Sequence, residues 1–564
     1  MPDSPTICLN MIVRNEAHVV HEVLDSVAPY ISSWVIVDTG SDDGTQDKIR
    51  EHTDALGIPG ELHERPWRNF GHNRSEAIAL AQGHGDYIWV MDADDLVVGD
   101  LDLSGLSHDV YQLKYGPGVT YWRRQVFRDG LPWRYVGVVH EYAHCDAPCT
   151  EERLQGDYYI ASRRLGGRNL DPEKYARDAE LLLAEVQRNP EDSRSVFYLA
   201  QSYYDHRDFA DAHTWYKRRT EMGGFDEEIY YSLLRVADTM SRLGEPWPDV
   251  QDAYLRAWEF RPWRAEALHA IAHRYRTEQR YRLGYFFAER AAQIRLPEQD
   301  KLFVNSEVYA WRAMDEQAVC ASWLGRHEEA FTLCRRILRL DDISEDDRKR
   351  IAANRDLSAP PVIAAAQQYS ESLAHSMVAG VPDSEVTVTL VAPPDRAVAE
   401  HTLNSFLRCC TDLSRVGRVL VIDIGLWPED RTVLLERFPF LEFAQFPPGV
   451  QRLEIRREIA GRYWLHLGLG WQFFAPDDYI GRLTSVLEAE PSVYQVGLNF
   501  GDAEKLSSTV APVESTRRAD GTGRYVLAER ASVGPAMFEC ARLDREDAGR
   551  RTATLDEVLC VLGG

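Results

Sequence analysis

Tyr87-Ile-Trp-Val-Met-Asp-Ala-Asp-Asp-Leu96 runs from five large apolar or aromatic residues straight into three carboxylates within four positions. The apolar run reads as a buried strand. Like charges at its end repel one another, and more strongly as water is excluded. The stretch therefore predicts a strand whose carboxyl end faces something positive, either a side chain or a cation. Working outward from it, residues 6–150 alternate strand and helix signals. TICLNMIV, SSWVIVD ending at Asp38, ELHERPW and YIWVMD read as strands. EAHVVHEVLDSVAPYI, GSDDGTQDKIREHT and HNRSEAIALAQG, stopped by Gly83, read as helices. That alternation predicts a mostly parallel sheet covered by helices, with ligands bound at the carboxyl ends of its strands, where Asp38 and Asp92 stand.

The rest of the chain divides by pattern. Over residues 155–355 strand signals give way to amphipathic helices. Leu199, Ala200, Tyr203, Ala212 and Tyr216 fall at the small and large positions of a helix-turn-helix repeat of roughly 34 residues. Ile271, Ala272, Tyr275, Ala288 and Ala291 repeat the pattern, and Ala318, Ala321 and Ala330 follow it more weakly. This predicts a tetratricopeptide-like array of four helix pairs. Residues 356–384 read as a linker or capping helix broken at Pro360-Pro361 and Pro382. From 385 to 564 strand signals return in SEVTVTLVAPP, RVGRVLVIDIG, RYWLHLGLGWQFF and SVYQVGLNF.

The 564 residues suffice for three or four domains with full cores. A formal charge of −25 disfavours a nucleic-acid partner. Nine scattered cysteines fit a reducing cytoplasm better than a disulfide framework. No secretory signal and no apolar run of membrane-spanning length is expected.

Asp92-Ala93-Asp94 is a D-x-D at a strand end. Two carboxylates one residue apart in a turn can address a Mg²⁺ or Mn²⁺ ion that keeps open positions for phosphate oxygens. Asn10-Met-Ile-Val13-Arg14-Asn15-Glu16 follows the first strand, Asp38-Thr-Gly40-Ser41-Asp-Asp-Gly-Thr45 the second, and Arg74 closes Asn69-Phe-Gly-His-Asn-Arg74. Further on, Arg124, Phe127, Trp133, Arg134, Gly137, His140 and Glu141 are spaced along one segment. In this order the motifs resemble the family 2 glycosyltransferases of GT-A (Rossmann-like) fold over roughly the first 150 residues. The resemblance implies a nucleotide-sugar donor, with a UDP-sugar expected. It implies that Asp38 contacts the base, Asp92 the ribose side, and Asp94 a Mn²⁺ or Mg²⁺ bridging the diphosphate. It also places Val13, Arg14, Asn15, Glu16, Gly40, Ser41, Arg74 and Ala93 around the nucleotide, brings His140 to the metal or diphosphate, and makes Glu141 the candidate general base. Asp95, Asp129 and Asp146 remain open for that last role.

His140-Glu141-Tyr142-Ala143-His144 also spells the zinc-protease H-E-x-x-H. That motif works only on a helix. The preceding RYVGVV is strand-like, and in a strand the two histidines would stand about 13 Å apart, too far to share one zinc.

In the C-terminal segment Asp423 ends a strand like that of Asp38. RYWLHLGLGW aligns without gaps to YIWVMDADDL, with Trp464 on Trp89 and Leu467–Gly470 where the acids stood. Residues 385–564 thus resemble a duplicated GT-A domain without a metal site.

The expectation is therefore a mixed α/β and all-α chain: a metal-dependent inverting glycosyltransferase domain at 1–154, repeats at 155–355, a linker at 356–384 and a degenerate domain at 385–564. The acceptor is expected to be a peptide, protein or glycan, and a homodimer stays open. The competing expectations are a non-catalytic repeat scaffold and a sugar nucleotidyltransferase, the latter lacking a Gly-rich basic loop for a triphosphate.

Overall fold

The computed structural model describes residues 4–116, 121–163, 165–166, 172–377, 385–501, 510–528, 530–545 and 551–563. The chain forms two compact units. Residues 1–261 with 299–303 make the first, and residues 262–298 with 304–564 make the second.

The first unit opens with β1 (Ile7–Val13), α1 (Val20–Val27), β2 (Ser33–Asp38), α2 (Thr45–Leu56), β3 (Gly60–Glu64), α3 (Phe70–Leu80) and β4 (Tyr87–Val90). There follow β5 (Asp95–Gly99), β6 (Val110–Tyr115), β7 (Tyr121–Arg128), β8 (Trp133–Val136), β9 (Tyr142–Cys145), β10 (Glu151–Arg153) and β11 (Tyr158–Ser162). The main sheet runs β3-β2-β1-β4-β7-β6-β11-β5, with β10 beside β6. Its first four strands are parallel, and β7 lies antiparallel to β4.

β1, β2 and β4 are almost continuously apolar because both faces are covered, whereas the edge strand β3 is polar and partly exposed. Leu9, Ile36 and Trp89 pack with α1 on one face, while Cys8, Val35 and Ile88 pack with Ile78 of α3 on the other. Asn10, 1% exposed, is reconciled with this core by donating Nδ2 to the carbonyls of Val35 and Ala77. The register sets Val13 beside Asp38 and Asn10 beside Val90, so the acids after β2 and β4 emerge at one edge. The sheet continues past residue 154, the predicted boundary, because β11 pairs with β5 over Tyr158–Ser162.

Helices α4 (Lys174–Arg188), α5 (Ser193–Asp205), α6 (Phe209–Thr220), α7 (Asp226–Arg242) and α8 (Trp247–Phe260) complete this unit. The second unit begins with α9 (Glu266–Thr277), α10 (Tyr281–Ala292), α11 (Ala313–Trp323), α12 (His327–Leu338) and α13 (Glu345–Ala366). The repeat positions are where the periodicity puts them. Leu199, Ala200, Ala212, Tyr216, Ile271, Ala272, Ala288, Ala291 and Ala321 are all fully buried.

One expectation is overturned here. Helix α13 runs unbroken through Pro360 and Pro361, which were read as a break. Each proline removes one backbone donor and crowds the preceding turn. Here Ala359 and Val362 on either side belong to the core of the second unit, and that burial outweighs the loss. Pro382, the other expected break, lies outside the described residues. No helix among the described residues is long and apolar enough to cross a membrane.

The second unit's sheet contains β12 (Val386–Ala392), β13 (Val416–Asp423), β14 (Leu441–Gln445) and β15 (Tyr463–His466), with β16 (Trp471–Phe473) just beyond. Its order, β14-β13-β12-β15 followed by the antiparallel strand Ala536–Glu539, repeats that of the first sheet. Ala392 stands beside Asp423 and Thr389 beside His466. Matching Asp423 to Asp38 therefore places His466 on Val90, Leu465 on Trp89 and Trp464 on Ile88. The ungapped alignment is one residue out. A slip of one residue in a strand exchanges its faces. Trp464 accordingly packs with Leu420, Ile422 and Phe538, on the face that Ile88 occupies in the first sheet. The D-x-D positions then fall on Gly468 and Gly470, both at positive φ (+76° and +75°).

His466 shares a hydrogen bond of 2.8 Å with Thr389 Oγ1. Burial, then the charge of Arg452, pushes its imidazole down to about 3. The neutral ring favours folding fully above pH 6.5, the ordinary value, and this contribution is lost as pH falls from there towards 3. Between pH 7 and 4.5 the unfolding midpoint of the wild type should therefore fall further than that of His466→Phe. Parallel slopes in thermal melts would refute this.

Candidate functional site

The carboxyl ends of β1 and β2 are joined by their loops. Asn15, at φ 57°, donates its amide to Ser41 Oγ and accepts the Asp42 amide on Oδ1. Glu16 and Ala17 donate theirs to Thr45 Oγ1 and Asp43 Oδ2. Asp38 Oδ1 accepts the amides of Gly40 and Ser41 and Nε2 of Gln46, at 2.9–3.1 Å. Gly40, at φ +106°, makes the turn possible. Asp38 is 1% exposed, yet its Oδ2 takes no hydrogen bond. Arg14, in the loop after β1, is exposed, and Ala93 is buried in the core cluster that includes α1.

The positive charge demanded by the acids after β4 comes from α3 and β7. Arg74 donates Nη2 to Asp92 Oδ1 and Nε to Glu141 Oε1, the latter at 2.7 Å. Arg123 Nη1 takes Asp92 Oδ2 at 2.8 Å. Burial disfavours the Asp92 anion, but the two guanidinium groups more than offset it, so its carboxyl titrates well below the usual range. Burial likewise works against the charge on Arg74, and Asp92 and Glu141 outweigh it. Arg74 Nη1 is buried with no partner. Asp95 faces the other way and accepts from the Tyr115 hydroxyl. Burial, with the nearby Asp92 charge, pushes its carboxyl up.

Asp94 is separate from this group. Its Oδ2 accepts the Gly166 amide at 2.8 Å, and its carbonyl accepts Nε of Arg163. A Cβ added at Gly166 would lie 3.2 Å from Glu16 Oε1 and 3.4 Å from Asp94 Oδ2, so two carboxylates converge on that glycine.

His140 and Glu141 lie in the turn of a β8–β9 hairpin, with His140 at φ 53°. This is no helix, and His144, within β9, pairs with Asp146, so the zinc-protease geometry is absent. The hairpin touches α3 so closely that a Cβ on Gly71 would come within 2.2 Å of the Gly137 carbonyl oxygen. The His140 ring stacks on Tyr198 of α5 at 4.1 Å, and its carbonyl accepts Nη2 of Arg194.

The donor set admits a divalent ion in one way. No group of three or more metal-capable side chains occurs among the described residues. Asp92 gives both oxygens to arginines, and the His140 ring lies against Tyr198. A cation held through one or two carboxylates and completed by a substrate diphosphate fits at Asp94, beside Glu16.

Three partners were missed in the sequence: Arg123, Arg194 and Tyr198. Arg124 was the arginine singled out, but it pairs with Glu151, while its neighbour Arg123 reaches Asp92. Adjacent strand residues face opposite sides, and the pairing of β7 with β4 selects Arg123. Arg194 and Tyr198 carried no local signal.

Residues 8–135 match the family model Glycosyl transferase family 2. A TPR repeat-containing protein of Synechococcus elongatus is 26% identical over 314 residues, covering 50% of this chain and 74% of its own. Similar solved structures include YrrB, described as a TPR protein with an unusual peptide-binding site, at 13% identity and TM-score 0.25, covering 32% of this chain and 82% of that one. A thermophilic TPR protein in Thermus thermophilus is 15% identical with TM-score 0.24, covering 32% and 90%. The chain thus carries a family 2 glycosyltransferase domain together with tetratricopeptide-like repeats.

Removing Arg74 leaves the Glu141 carboxylate without its guanidinium and Asp92 with Arg123 alone. Arg74→Ala should cost about 3–5 kcal/mol, and Asp92→Asn less, because Glu141 keeps its partner. Denaturant unfolding of the two variants would show the order, and equal costs would refute it.

Proposed function

We propose that the chain is an inverting glycosyltransferase that moves a sugar from a nucleotide-sugar donor to an acceptor, with a UDP-sugar the expected donor and a peptide or protein the expected acceptor. The observation that carries this reading is that Arg74 joins Asp92 and Glu141 at the sheet edge where Asp38 also emerges. Asp38 Oδ2 is a buried acceptor with nothing to accept. A base with a ring N–H, such as uracil, satisfies it, whereas adenine and cytosine present only a ring acceptor at the matching place. Asp92, fixed by two arginines, is suited to a ribose hydroxyl.

The departing nucleoside diphosphate develops negative charge, and Arg74 Nη1 is a preorganised donor for it, with Arg14 at the rim. A divalent cation held by Asp94, when bound, neutralises the same charge. Glu141 is the general base. Arg74 Nε fixes Oε1, and Oε2 takes the acceptor's proton as the nucleophile attacks the anomeric carbon opposite the diphosphate.

Incubation with a panel of nucleotide sugars and Mn²⁺, reading donor hydrolysis, tests the activity. No hydrolysis of any donor would favour a repeat scaffold. Asp94→Asn should abolish turnover and weaken donor binding only when metal is present, and unchanged hydrolysis at saturating Mn²⁺ would remove Asp94 from the metal site. Glu141→Gln should keep donor affinity and lose transfer, since a base acts in the chemical step. Collapse of donor affinity with transfer retained would make Glu141 a nucleotide contact instead.

A further inference from the structure

A cavity of about 570 Å³ opens at the carboxyl ends of β1 and β2. One side is the loop from Val13 to Glu16. The floor carries Trp67 and Phe70, packed edge to face at 4.6 Å. The opposite wall is not part of the α/β sheet. It is the first repeat helix, α4, which presents Arg177 and Leu181. Positions 174, 177 and 181 share one helical face. On another face of α4, Leu182 and Val186 pack with Val138 and Val139 of the hairpin turn, so the wall is fixed to the domain it faces.

We propose that α4 is the outer wall of the donor's nucleoside pocket, with Arg177 and Leu181 setting how tightly the nucleotide is held. This rests on the transferase reading above. The cavity has the size of a small-molecule site. It combines the flat rings of Trp67 and Phe70 and the apolar Leu181 with the cations Arg14, Lys174 and Arg177, which outnumber the acids Glu16 and Asp178, and this suits a planar base carried on an anionic phosphate. The cavity borders Thr39, directly after Asp38, and does not reach Glu141, so it lies at the nucleoside end of the site and not at the acceptor end.

The test is calorimetric titration of the full chain in Mn²⁺ with nucleoside diphosphates and with inorganic pyrophosphate. Leu181→Trp fills the cavity. Arg177→Glu reverses an exposed charge and leaves the core intact. Each should weaken the tightest-binding nucleoside diphosphate about tenfold or more, roughly 1.4 kcal/mol. Leu181→Trp should leave pyrophosphate within about twofold, and the unfolding midpoint of Arg177→Glu should be unchanged. Nucleotide affinities within about twofold of wild type in both variants would overturn the proposal, as would an effect confined to acceptor KM. A wild type that binds no nucleoside diphosphate or nucleotide sugar would overturn the transferase reading itself.

Discussion

Arg74 is a buried cation shared by two carboxylates that the sequence keeps far apart. Asp92 comes from the end of β4 and Glu141 from the hairpin turn, and α3 delivers the guanidinium between them. Only arginine offers the separated, coplanar donors this sharing needs. The acids after β4 would otherwise repel one another in a place that excludes water. The contact also fixes the hairpin, since Glu141 cannot leave Arg74 without stranding a charge. The approach of Gly71 to Gly137 and the bond from the Phe70 amide to the Val138 carbonyl follow the same path. The candidate site and the packing of the hairpin are in this sense one structure.

The two sheets separate what the scaffold needs from what chemistry needs. Asp423 accepts the amides of Gly425 and Leu426 on Oδ1, as Asp38 accepts those of Gly40 and Ser41. The acid after the second strand is thus partly a turn residue, retained where the acids after the fourth strand are gone. What sets Asp38 apart is its second oxygen, buried without a partner.

Much of this was legible in the sequence because it is local. An apolar run ending in acids reports a strand and its exit, so Asp38, Asp92 and Asp94 could be placed from their neighbours. The repeat helices could be placed too, because small residues such as Ala200, Ala272 and Ala321 mark where helices press together. What failed depended on pairing. Choosing Arg123 over Arg124 requires the β7–β4 register. Placing Trp464 requires the β12–β15 register, which ungapped alignment misses by one residue. The prolines of α13 misled because their penalty is written locally while the burial that offsets it is tertiary.

The hairpin turn has one more consequence, for how such a chain could be divided or recombined. Val138 and Val139 belong to the apolar cluster of α4 and α5, with Leu182, Val186, Val196 and Leu199. The sequence pattern ends the sheet domain at residue 154, the structure moves that end to β11, and the gap between β11 and α4 then invites a cut. A cut there would turn two valines of the sheet domain towards water and strip His140 of its aromatic neighbour. The first helical hairpin therefore travels with the sheet as a hereditary unit. Helices α6, α7 and α8 belong to the same compact unit, and Phe197 and Ala200 of α5 share a cluster with Ala212, Tyr216 and Tyr231, so a seam for exchanging repeats lies beyond α8.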